Sequence, residues 1–118
     1  RWEELRLATE EDLVDAQLAL GRHAEIVADV EAMVHAQPFR ERRWGQLLVC
    51  LYRSGRQAEA LERYRQVRRL LAEELGVDPS PSLRAVEAGI CAVRTLVPAS
   101  STDQVAAAVA RRPSLGDD

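Results

Sequence analysis

Gly21-Arg22-His23-Ala24-Glu25 returns farther along the chain as Gly55-Arg56-Gln57-Ala58-Glu59. The apolar positions on either side follow the same shift. Leu13 maps to Leu47, Val14 to Leu48, Ile26 to Ala60, Val27 to Leu61 and Val30 to Tyr64. Each copy reads as two helices joined by a tight turn. The glycine supplies the turn, because it alone adopts positive φ at no steric cost. The small residue after it lets the second helix close on the first, and the large residues fill the groove between them.

A helix-turn-helix unit with the shift that carries Gly21 to Gly55 has the tetratricopeptide period. The second unit carries the fuller signature: Trp44, Leu47-Leu48, Leu51, Gly55, Ala60 and Tyr64. The first keeps Leu13, Val14, Gly21, Ile26, Val30 and a closing Pro38. Gly89 lies one further period on, but no Ala-Glu follows it, so it starts no third copy. The expected class is all-α: tetratricopeptide-like antiparallel hairpins in an α-α superhelix. Apolar spacing predicts helices over 9–20, 22–36, 41–53, 56–75 and 81–96, and no stretch alternates with the period of a strand. Leu13, Val14, Leu18 and Leu20 are the expected stripe of the first. Gly76 is a helix stop, Asp78-Pro79-Ser80-Pro81 cannot be helical, and Ser80 caps a fifth helix with Pro81 at its first position. That helix offers Leu83, Val86, Ile90, Val93 and Val97 as the cap that two repeats need. Trp44, Leu48, Leu51, Ala60, Leu61, Tyr64 and Leu71 are the expected core.

Residues 1–97 therefore read as one helical domain and 98–118 as a linker, a short helix and a disordered tail. Pro98-Ala99-Ser100-Ser101 is the linker, and Ser101-Thr102-Asp103-Gln104 is a capping box before Val105-Ala106-Ala107-Ala108-Val109. Arg111-Arg112-Pro113-Ser114-Leu115 has the form of a basic-directed phosphorylation site, a pattern common by chance in tails. Composition agrees with helix. Of 118 residues, 47 % are apolar but only 4 % aromatic, so the core must be aliphatic. No apolar run is long enough to cross a membrane, and Arg1 to Glu11 is too charged for a signal peptide.

All sixteen basic residues are arginine, and they are unevenly placed. Residues 1–39 hold three Arg against nine acids, 40–69 nine Arg against three Glu, and 70–118 four Arg against seven acids. A segment of +6 thus sits between flanks of −6 and −3. Three readings compete: charge complementarity between the stacked hairpins, a docking surface for a protein partner, and contact with a nucleic-acid backbone. An acidic total without exposed aromatics to stack on bases speaks against the third. Arg40, Arg42 and Arg43 stand at a helix start, where cations oppose the dipole. Arg65, Arg68 and Arg69 share one helix face. These six are the candidate partner-binding residues. Reversing Arg42 and Arg43 is expected to leave the fold nearly intact, as for exposed charges.

No catalytic, cofactor or metal constellation appears. Cys50 and Cys91 stand apart in apolar helical runs and read as inert buried thiols. His23 at a helix start and His35 in a last turn have no cluster to complete a metal site. The acidic doublets Glu3-Glu4, Glu10-Glu11 and Glu73-Glu74 point in different helix directions and cannot work as paired acids. No cofactor is expected, and the chain is not expected to be an enzyme.

Several segments together resemble the bacterial transcriptional activator domain of Streptomyces antibiotic regulatory protein-type regulators. They run from Pro38 to Leu47, from Leu51-Tyr52-Arg53-Ser54-Gly55-Arg56-Gln57-Ala58-Glu59-Ala60-Leu61 through Tyr64-Arg65, and from Leu70 to Pro79, with Pro81-Ser82-Leu83-Arg84 behind them. Leu5-Arg6-Leu7 and Leu18-Ala19-Leu20-Gly21-Arg22-His23 look like the family's earlier stretch, so the resemblance covers about residues 1–91. It implies a cytoplasmic, tetratricopeptide-like domain that usually follows a winged helix-turn-helix binding direct promoter repeats. It also implies protein partners: the regulator's own DNA-binding domain, RNA polymerase, or a second copy in a homodimer. Some members append a nucleotide-binding or phosphothreonine-binding domain. The sequence departs from the family pattern at Phe39, where a small hydrophobic is usual, and at Ser80, where Gly is common. Because Arg1 falls within the helical stretch, the winged helix is expected outside this chain and the first helix is expected to be incomplete. Direct nucleic-acid or membrane binding by this fragment is not expected. The rival reading is a helical signal-transmitting module of a signalling enzyme, such as a nucleotide cyclase or an ATPase-type regulator.

Overall fold

In the computed structural model the described residues are 1–96, with side chains placed for 1–92. They form five helices: α1 (Trp2–Ala19), α2 (His23–Ala36), α3 (Glu41–Arg53), α4 (Gln57–Leu75) and α5 (Pro81–Leu96). No strand occurs among them. The architecture is tetratricopeptide-like, with α1–α2 and α3–α4 as hairpins and α5 laid against α3 and α4. Val93, Val97 and the expected linker, capping box, phosphorylation motif and tail lie outside the residues whose side chains are described.

The repeated sequence folds twice into the same turn. At the end of α1, the Gly21 N–H donates to the Leu18 carbonyl at 3.0 Å and the Arg22 N–H to the Gln17 carbonyl at 3.0 Å. At the end of α3, Gly55 donates to Tyr52 at 3.0 Å and Arg56 to Leu51 at 2.8 Å. Both glycines are left-handed, with φ +77° and +79°. This is a Schellman closure, which satisfies the orphan carbonyls of a helix end and requires positive φ. Arg22 and Arg56 are spent on these closures, so α2 and α4 begin one residue after the spacing predicts. Farther on, the Leu83 N–H donates to the Ser80 hydroxyl at 3.2 Å, the expected cap of α5.

The core is one aliphatic cluster centred on α3. Trp44, Leu48, Leu51, Ala60, Leu61, Tyr64 and Leu71 are all buried, as expected. Trp44 satisfies its indole N–H on the Pro38 carbonyl at 2.7 Å. The first helix needs two corrections. It begins at Trp2 rather than near residue 9, since nothing in 2–8 breaks a helix, Glu3 and Glu4 favour its positive end, and Arg6 bridges to Glu3 and Glu10. Its inner face is Leu7, Glu11, Val14 and Leu18, whereas Leu13 and Leu20 are 59 % and 69 % exposed. The expected stripe mixed two opposite faces, both apolar, and one carboxylate on the true inner face hid it.

Candidate functional site

The six candidate arginines separate into two groups. Arg40, Arg42 and Arg43 open α3 and face the acids of α1. Glu11 is the hub, since only 1 % of it is exposed. Its Oε2 accepts from Arg40 Nε at 2.6 Å and from Arg43 Nε at 2.7 Å, and its Oε1 accepts from Arg40 Nη2 at 2.9 Å. Arg43 is equally buried and fully engaged. Its Nη1 donates to the Met33 carbonyl at 3.0 Å and its Nη2 to Glu10 at 2.9 Å. Arg40 reaches on to Glu4 at 2.7 Å, and Arg42 to Asp12 and Asp15, each at 2.7 Å. Gln46 completes the junction by donating to the Glu11 carbonyl at 2.8 Å and to Asp15 at 2.7 Å.

The electrostatics follow from this geometry. Burial alone would push the Glu11 carboxyl up, but the hydrogen bonds and charges of Arg40 and Arg43 together outweigh it and hold the group below its usual value. Hydrogen bonds to Glu11 and Glu4 hold the Arg40 guanidinium above its own. Of the three charge readings, complementarity between hairpins is the one the geometry displays at this junction. The expectation that reversing Arg42 and Arg43 spares the fold is corrected for Arg43. Reversal there would bury a carboxylate against Glu11, with no solvent to relieve it.

Arg65, Arg68 and Arg69 lie together on the exposed face of α4. Arg65 pairs with Glu62 at 2.8 Å. Arg68 and Arg69 make no hydrogen bond or ion pair within the described residues. The remaining arginines of the basic segment are occupied: Arg53 on the Leu18 carbonyl at 3.1 Å, Arg56 on Glu59 at 2.7 Å, and Arg63 on Glu31 of α2 at 3.0 Å. Arg84 of α5 joins the free pair. Burial, and then the charge of Glu87, push the Tyr64 phenol up, while Arg68 and Arg84 both act against that rise. Arg84 escaped sequence reasoning because it sits well beyond the end of the basic segment. Only the docking of α5 beside α4 brings its charge, like that of Arg68, to bear on Tyr64.

Cys50 is wholly buried, and burial pushes its thiol up to about 11. Cys91 donates to Glu87 at 3.1 Å. His35 Nδ1 lies 2.9 Å from the Glu31 carbonyl. Among the described residues no group of His, Cys, Asp or Glu could hold a metal ion, and no helix is long and apolar enough to cross a membrane.

Known proteins share this sequence and this architecture. The chain is 54 % identical over 87 residues to the regulatory protein AfsR of Streptomyces griseus, a match covering 74 % of this chain and 9 % of that one. It is 45 % identical over 91 residues to the transcriptional regulator RedD of Streptomyces coelicolor, covering 77 % and 26 %. Among solved structures, Mycobacterium tuberculosis EmbR in complex with a low affinity phosphopeptide superposes with a TM-score of 0.76 at 33 % identity, covering 92 % of this chain and 28 % of that one. The chain thus spans a small part of each relative. The model of the bacterial transcriptional activator domain matches residues 1–91, and the chain belongs to that family, in its Streptomyces antibiotic regulatory protein-type branch.

Proposed function

We propose that this chain is a non-enzymatic, cytoplasmic protein-interaction domain of a bacterial transcriptional regulator, and that promoter DNA is bound by another part of the same protein. The observation that carries the reading is the division of the basic segment. Arg40, Arg42 and Arg43 are consumed inside the fold, and Arg43 is too buried to meet a partner without unfolding the junction. The charge left over is Arg68 and Arg69, with Arg65 beside them and Arg84 across the α4–α5 boundary. So small a basic face, without exposed aromatics between the arginines, suits an acidic protein segment better than a nucleic-acid backbone. RNA polymerase, the regulator's own DNA-binding domain or a second copy could each supply such a segment.

The test is the intact regulator carrying Arg68→Glu and Arg69→Glu. Promoter occupancy and transcription are measured together, at two salt concentrations. Transcription should fall while occupancy holds, and raising salt should narrow the gap to the unaltered protein, because rim charges act mainly on the encounter rate. Loss of occupancy in parallel would assign the face to DNA binding. No change in either would leave the face without a function.

A further inference from the structure

The step from α3 to α5 repeats the step from α1 to α3. Leu83 and Val86 lie against Gly45 as Arg43 and Gln46 lie against Glu11. So α5 carries Leu83 at the place of Arg43 and Val86 at that of Gln46, and the seam beside each step can be compared position by position. Between α2 and α3 the seam is sealed. Val30 and Val34 of α2 and Trp44, Leu47 and Leu51 of α3 belong to the core, none more than 3 % exposed. Between α4 and α5 the same places hold Tyr64, Arg68, Arg84, Glu87 and Cys91. Arg68 and Arg84 are exposed, Glu87 and Cys91 half-buried, and Tyr64 buried. An apolar set has become an ionisable one, and the second seam meets solvent at its arginines.

We propose that the seam between α4 and α5 is a binding slot for one carboxylate side chain of a protein partner, received between Arg68 and Arg84. The slot rests on the proposal that the basic face takes an acidic protein segment, and it assigns the point of recognition. Packing does not require these charges, because Leu83, Val86 and Ile90 already bury the inner face of α5. Neither Arg68 nor Arg84 engages an acid among the described residues, yet the charges of both, one from each wall, reach the Tyr64 phenol. A guanidinium pairs a carboxylate through parallel N–H donors, a fit that gives specificity as well as energy. Glu87 and Asp78 act on the same phenol. Two acids beside two arginines leave room for a single negative charge and disfavour a doubly charged phosphoryl group. Glu87 Oε2 accepts from Cys91 at 3.1 Å, and its other oxygen can accept the backbone N–H of an arriving peptide, a donor that free phosphate lacks.

The experiment uses the intact regulator with its DNA-binding part occupied by promoter duplex, and a fluorescein-labelled hexaglutamate peptide as the probe. In an anisotropy titration, Arg84→Gln and Arg68→Gln should each weaken binding about tenfold, as for loss of a charge-assisted hydrogen bond. Glu87→Gln should tighten it roughly threefold, because a like charge is removed. Arg68→Gln keeps the test informative if Arg84→Gln unsettles α5. Inorganic phosphate should displace no more peptide than sodium chloride of matched ionic strength. If Arg84→Gln and Glu87→Gln leave binding unchanged while Arg68→Glu with Arg69→Glu still lowers transcription, the slot is overturned and the acidic-segment reading stands. If that effect on transcription is missing as well, both are overturned. Phosphate that displaces the peptide better than chloride overturns the carboxylate assignment, and so does an absence of peptide binding to the unaltered regulator.

Discussion

The junction of α1 with α3 and that of α3 with α5 are the same step of the stack, built from opposite chemistry. Glu11 and Gly45 are separated by the same shift as Gly21 and Gly55 and hold equivalent places, each where the next helix lands. At Glu11 the arriving helix brings Arg40 and Arg43, and a buried carboxylate meets two guanidinia. At Gly45 it brings Leu83 and Val86, and the contact is wholly apolar. The step itself is therefore generic, and side chains are free to fill it with ions or with methyl groups. An ionic filling gains little net stability over an apolar one, because desolvation offsets the attraction. It does make the junction intolerant of losing one partner, and it ties the first hairpin to the second through charge.

The strongest way to break the comparison is to remove one ion. Glu11→Ala leaves Arg43 buried without its main partner and should cost about 3–5 kcal/mol, read as a lowered urea midpoint. Replacing the pair together, Glu11→Leu with Arg43→Met, should recover most of that loss, since an apolar filling is what the other junction already uses. A double variant as unstable as Glu11→Ala would show that Arg43 matters through its bonds to Met33 and Glu10 instead.

Acid should separate the junctions next. The carboxyl of Glu11 is held below its unfolded value, so its stabilising contribution is complete above about pH 5 and is lost as pH falls through the folded value. Protection of the α1 amides, corrected for the intrinsic exchange rate at each pH, should fall on acidification well before protection in α5. Simultaneous loss in both helices would mean that the whole molecule unfolds as one unit and that the ionic junction has no separate stability.

Legibility in the sequence divides along the same line. Gly21, Gly55, Gly76 and Pro81 mark helix ends through local chemistry, since positive φ and a missing N–H depend on the residue itself. Those ends were readable to within a residue or two. The core of α3 and α4 was readable because one face is apolar and the other charged. The face of α1 was not, because Leu7-Glu11-Val14-Leu18 carries a carboxylate inside while Leu13 and Leu20 lie outside. The roles of the arginines were not readable either. Arg43 and Arg69 look alike in sequence, and what distinguishes them is the distant Glu11 carboxylate, which only the hairpin stacking brings to Arg43. One signal was available: Glu11 interrupts an otherwise apolar helical stripe, and a basic run opens the helix that packs on it.

A milder test probes how much room the apolar junction has. Gly45→Leu places a branched side chain against Leu83 and Val86, both already buried, and should cost about 1–3 kcal/mol through overpacking. The disturbance should be confined to α5, seen as faster amide exchange there with α1 unchanged. Equal disturbance of α1 would show that the two junctions are coupled through α3.

The smallest effect has the opposite sign. Gly45 lies where α5 lands on α3, and glycine would be needed there only if its backbone or the approach of α5 demanded it. Its backbone does not require that, because it is an ordinary helical residue outside the three positive-φ glycines. A Cβ built there would lie 3.7 Å from Leu83 Cδ1 and 3.9 Å from Val86 Cγ2, which is ordinary van der Waals contact. An interior glycine also costs a helix roughly 0.5–1 kcal/mol relative to alanine, through the freedom it loses on folding. Gly45→Ala should therefore raise stability by about that amount, with unchanged denaturant slope, since no surface is newly exposed. The added methyl also fills space between α3 and α5, so the gain should be accompanied by slower exchange in α5. A loss of stability in Gly45→Ala would mean that α5 sits closer to α3 than these distances allow. The contrast between an ionic and an apolar step would then have to be redrawn as one between a side-chain contact and a backbone contact.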